Sequence, residues 1–163
     1  MNTKVLFLVL VLFGSLSQTS SDAPKYIVQL NPKEGKKLLK QCSRTNPSKK
    51  AKNYFYIQDT TLDILKEEFY KIKEVKSSFN SYIKDLDNYA YQVIGFEIKR
   101  EAYIYINAFP IGDKNPDDVK AHWKELPIVI CDGGHSYWGI VFNIEKREFS
   151  DLHRNGPGPV FIE

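Results

Sequence analysis

The sequence predicts an α+β fold, with N-terminal helices packed on one face of an antiparallel β-sheet of about five strands, a cystatin-like or similar helix-on-sheet architecture. Three observations carry that expectation. Leu62, Leu65, Phe69 and Ile72 recur at helical spacing, and Phe79, Tyr82, Ile83 and Leu86 resume the pattern. Two β-branched and aromatic runs, 89–98 and 102–109, flank the polar tripeptide Lys99-Arg100-Glu101 and read as a hairpin. In the region 127–156, Trp138, Ile140, Phe142 and Ile144 alternate at period two behind the turn residues Asp132-Gly133-Gly134.

The chain has 163 residues and a formal net charge of +3. Residues 1–21 carry Lys4, an apolar run over 5–13 and then small and polar residues, the layout of a secretory signal peptide. The remaining 22–163 are long enough for a single α+β domain with a real core, and no period repeats along them. The expectation is a secreted or periplasmic protein with no transmembrane segment, since no other stretch is apolar enough to span.

Taken in order, Lys25 to Leu30 is a short alternation that suits a sheet edge. Asn31-Pro32-Lys33-Glu34 supplies an N-cap, a proline at the first helical position and a capping-box glutamate, with Leu38, Leu39 and Cys42 on the inner side. Residues 53–57 read as a brief strand or an apolar strap, and a long helix, or two joined by a kink at 76–78, starts from a cap at Thr60 with Asp63. The hairpin over 89–109 carries a bulge near Gly95, its core face holding Ile104, Ile106 and Ala108 and its other face Tyr91, Tyr103 and Tyr105. Asn115 and Pro116 open a short helix that Pro127 stops. Residues 128–130, 138–144 and 149–152 then form a three-stranded meander with 138–144 at its centre.

Candidate chemistry concentrates in three places. Over 33–52, eight Lys or Arg stand against one acid, so Lys36, Lys37, Lys40, Arg44, Lys49, Lys50 and Lys52 form a candidate surface for an anionic partner. The competing reading is a solvated helix face and loop, and nucleic acid fits poorly because no aromatics interleave the run. Asp113, Asn115 and Asp117 copy the opening of a calcium loop, but Asp118 and Lys124 stand where its glycine and glutamate belong, so no metal site is expected. Cys131, Asp132 and His135 raise a thiol nucleophile with a histidine base, the alternative function being a small thiol-dependent hydrolase. Against it stands the pairing of Cys42 with Cys131, the chain's two cysteines, which an exported protein favours. That cross-link closes a loop of about 90 residues and is worth about 4.6 kcal/mol on a chain-entropy model.

The elements QCSR at 41–44, YQVIG at 91–95, YIYINAF at 103–109 and CDGGHSYWG at 131–139 resemble a family of small secreted bacterial proteins of unknown function. The resemblance implies an exported bacterial α+β protein and attaches no activity, cofactor or catalytic residue to it. The functional expectation is therefore an exported, non-enzymatic binding or inhibitor-like module without a cofactor. Its partner would be a protein or an anionic envelope component, met by the basic run or by Asp132, His135 and Tyr137 at the glycine turn. A structural envelope component is a third class.

Overall fold

The computed structural model describes residues 23–41, 44 and 50–156, so the expected leader, Cys42 and Lys49 lie outside the described residues. The centre of the sheet is the hairpin of β3 (Tyr89–Ile98) and β4 (Glu101–Pro110), paired without a break from Tyr89 opposite Pro110 to Ile98 opposite Glu101. Only Lys99 and Arg100 connect the strands, both at positive φ (52° and 72°), the handedness that lets a two-residue turn follow the strand twist. β5 (Trp138–Asn143) pairs antiparallel with the far edge of β4, and β6 (Glu148–Arg154) pairs antiparallel with β5.

The free edge of β3 is shared by two short strands. β1 (Ile27–Gln29) runs parallel to it opposite 91–93, and β2 (Lys52–Phe55) runs antiparallel to it at its other end. The sheet is therefore six-stranded and mixed, which corrects the expected all-antiparallel sheet of five. A short apolar alternation marks a strand but carries no information about the direction of its partner. Between β1 and β2 the chain forms α1 (Pro32–Gly35), capped by the Asn31 side chain on the Glu34 amide at 3.0 Å, and a 3₁₀ turn over Lys36–Lys40.

One face of the sheet is covered by α2 (Asp59–Glu68) and the 3₁₀ turn Phe69–Glu74 that continues it. Leu65, Phe69 and Ile72 pack there with Tyr91, Val93, Ile104, Ile106, Ala108, Trp138, Ile140 and Phe142. Gln58 occupies the N-cap of α2 without a side-chain bond, not Thr60 as expected. Tyr91, expected on the opposite face, stands across from Ala108 and so faces α2, its hydroxyl donating to the Leu86 carbonyl at 2.6 Å. The opposite face carries a second cluster, in which Leu30, Leu38 and Leu39 cover Ile94, Phe96, Tyr105 and Val141.

Three further expectations change. The helical spacing over 79–86 does not form a helix: Ser77 and Ser81 bond to each other at 2.9 Å, Asn80 takes φ 59°, and the Asp85 side chain caps the Asp87 amide. Short polar side chains there supply the backbone with local partners that compete with a helix. Gly95 lies in an unbroken β3–β4 ladder, and the register shift beside it falls in the pairing with β2, between Lys52 and Phe55; its missing side chain makes room for the Phe55 ring, against which a Cβ would collide. Residues 128–130 are no strand, so β5 is central between β4 and β6, not between 128–130 and β6.

Candidate functional site

On the face away from α2, Gln92, Asn107 and Gly139 lie opposite one another across β3, β4 and β5. This polar row separates Ala90 and Phe109 on one side from Ile94, Tyr105 and Val141 on the other, and both amides are buried. Gln92 donates to the carbonyls of Trp123 (2.5 Å) and Leu126 (2.7 Å) and accepts from the Ile128 amide at 2.7 Å. Asn107 donates to the Ile128 carbonyl at 3.0 Å, and Gln41 bonds the same carbonyl at 3.2 Å and the Ile130 amide at 3.3 Å. Asn155 takes the Ile130 carbonyl at 2.7 Å. The segment after α3 (Pro116–Val119) thus meets its backbone requirement through side-chain amides in place of a neighbouring strand. That is why a β-branched run at 128–130 lies flat on the sheet without joining it.

Arg44 belongs to this row and not to the surface. Its residue is 8% exposed, and its Nη2 donates to Asn107 Oδ1 at 2.6 Å while Nε and Nη1 find no partner. Burial holds the guanidinium below its ordinary pKa, partly offset by the neighbouring Tyr105, whose own hydroxyl burial pushes up. Gly139 permits this packing: a Cβ there would run into Tyr105 Oη and stand 2.7 Å from Arg44 Nη1.

The other basic residues divide. Lys36, Lys37 and Lys40 are exposed along the 3₁₀ turn, with Lys37 paired to Glu34 at 2.5 Å. Lys50 and Lys52 line an open cleft of about 520 Å³ together with Asn53, Glu97, Lys99 and Arg100. Glu97, the one acid in that lining, accepts from the Asn53 side chain at 2.9 Å. The cleft therefore brings two lysines of the basic run against the two cations of the hairpin turn. Sequence reading missed Lys99 and Arg100 because they stand about fifty residues away and read as turn residues; the available signal was a basic pair in a two-residue turn where Asn-Gly is the usual choice.

At the glycine turn, Asp132 and His135 are exposed, and the His135 ring lies on Phe79 with centroids 4.5 Å apart. Tyr137 is half-buried and its ring covers Gly133, where a Cβ would collide with it; Gly134 takes φ 57°. No described cysteine is a free thiol, so Cys131 offers His135 no thiolate. Cys42, the only other cysteine of the chain, lies outside the described residues. Among the described residues no helix is long and apolar enough to cross a membrane. No family model, curated protein or solved structure matches this chain.

Proposed function

We propose that this chain is an exported, non-enzymatic binding module that engages a polyanionic envelope surface through the cleft of Lys50, Lys52, Lys99 and Arg100. The observation that carries the reading is the convergence in one cleft of four cations and a single acid, itself hydrogen-bonded to Asn53. A second feature supports it: Lys99 and Arg100 hold left-handed backbone angles that cost non-glycine residues about 1 kcal/mol each, a cost that side chains retained for binding would explain. Export, the resemblance to small secreted bacterial proteins, the cystatin-like helix-on-sheet architecture and the Cys42–Cys131 pairing belong to the same proposal. Lys36, Lys37, Lys40 and Lys49 extend the basic face around the cleft in this reading, and Asp132, His135 and Tyr137 are a separate contact surface for a protein.

The test is retention on immobilised heparin and on anionic vesicles as a function of salt. Surface cations contribute about 0.2–1 kcal/mol each, so replacing Lys50, Lys52, Lys99 and Arg100 with Gln should weaken binding at least about fourfold, with Tm unchanged. Parent binding should fall steeply as the Debye length drops below about 10 Å. Equal, salt-insensitive retention of parent and variant would sink the proposal.

A further inference from the structure

A guanidinium buried among a sheet's side chains ordinarily has a carboxylate beside it, because an unpaired buried cation is among the costliest groups a fold can carry. Arg44 has none among the described residues. Tyr105 is the ionisable group that bears on it, Asn107 Oδ1 takes one of its N–H groups at 2.6 Å, and Nε and Nη1 retain theirs. The amide groups around it are already committed: Gln41 and Asn107 donate to the Ile128 carbonyl and Gln92 to those of Trp123 and Leu126. What the row leaves unanswered is one positive charge with N–H donors, beside a phenol that burial keeps protonated and able to donate.

We infer that Arg44 is the anchor of a binding site for a small monocarboxylate, with Tyr105 as its second donor. One charge calls for one charge, since a dianion would leave half of its own charge uncompensated in a desolvated site. Planar carboxylate oxygens match the guanidinium's N–H geometry, which a spherical halide does not. Gly139 is part of the site because the close packing of Tyr105 Oη and Arg44 Nη1 over its Cα excludes any side chain there. The site is distinct from the surface cleft, on a different row of the sheet, and stands whether or not the cleft binds a polyanion.

The experiment is thermal unfolding of the full chain in sodium formate or acetate against sodium chloride at equal ionic strength. A ligand that binds only the folded state should raise Tm by about 3–5 °C at ten times its dissociation constant. Formate should do so for the parent, whereas Arg44→Met should lose the formate-specific rise while unfolding in chloride no lower than the parent. A formate effect no greater than that of chloride, or one that persists in Arg44→Met, would overturn the assignment. Saturation transfer from the parent protein to the formate proton gives a readout that does not depend on how the variant folds. Its absence would equally overturn the site, and inorganic phosphate displacing formate at equal or lower concentration would overturn the monocarboxylate class.

Discussion

Across the same three strands, the face under α2 presents Val93, Ile106 and Ile140 side by side, while one residue earlier or later the opposite face presents Gln92, Asn107 and Gly139. Both rows are buried, but by different physics. The first is held by area removed from water, which is non-directional and tolerates changes that conserve volume. The second is held by hydrogen bonds whose partners are carbonyls and amides of a segment with no strand to pair with, so each amide has a particular place to be. The difference teaches that one sheet can use its two faces for different tasks, one to make the domain stable and the other to fix an irregular segment.

The largest expected effect lies on the apolar face. Trp138 is completely buried among Tyr89, Tyr91 and the rest of that cluster, so Trp138→Ala should cost about 3–5 kcal/mol in denaturant unfolding, with a lowered midpoint. A cost under about 1 kcal/mol would show that this face does not carry the stability assigned to it.

Asn107→Leu asks whether the polar row works by direction or merely by filling space. The substitution nearly conserves volume but takes the Asn107 donor away from the Ile128 carbonyl and leaves Gln41 and Arg44 without their shared acceptor. The expected loss is about 2–3 kcal/mol, with faster hydrogen exchange at the Ile128 and Ile130 amides and little change at those of β4 and β5. If leucine is as well tolerated at 107 as a volume-conserving change is at 106, the two faces are not different in kind.

The smallest effect should come from a position that belongs to neither face, and it should have the opposite sign. Arg100 sits at φ 72°, and Arg100→Gly should raise stability by about 0.5–1 kcal/mol while weakening heparin retention. A stabilised variant that binds heparin as well as the parent would separate the turn's strain from any binding role.

The same comparison explains what was legible in the sequence. The α2 face announced itself because periodicity and burial coincide there: Leu65, Phe69 and Ile72, and Ile104, Ile106 and Ala108, all face the cluster their spacing indicates. The hairpin was legible to within a residue or two, since Lys99 and Arg100 interrupt two runs that are mostly apolar. The polar row was not. Gln92 and Asn107 each appear as one polar residue in an apolar strand, which reads as a solvent-facing position unless something covers it, and what covers it is 31 to 36 residues away in the case of Gln92. Arg44 was misplaced for the same reason, because charge counted along a segment cannot distinguish a side chain that turns inward. The direction of β1 and the loss of helix over 79–86 depended on partners and local polar bonds that apolar spacing does not encode.

The position of β1 has a kinetic consequence. From β3 to β6 each strand pairs with the next along the chain, so that half of the sheet can assemble by successive short closures. β1 instead waits for a partner more than sixty residues later, Ile27 opposite Tyr91, and β2 waits for the same strand. A chain emerging from its N-terminus therefore has no sheet to build until β3 has appeared, and its first strand should be among the last to dock. Folding becomes an event of the finished chain, with the meander as nucleus and the N-terminal third closing over it. In a refolding experiment, substitutions in β3 and β4 should slow the folding rate, while substitutions in β1 should act on unfolding.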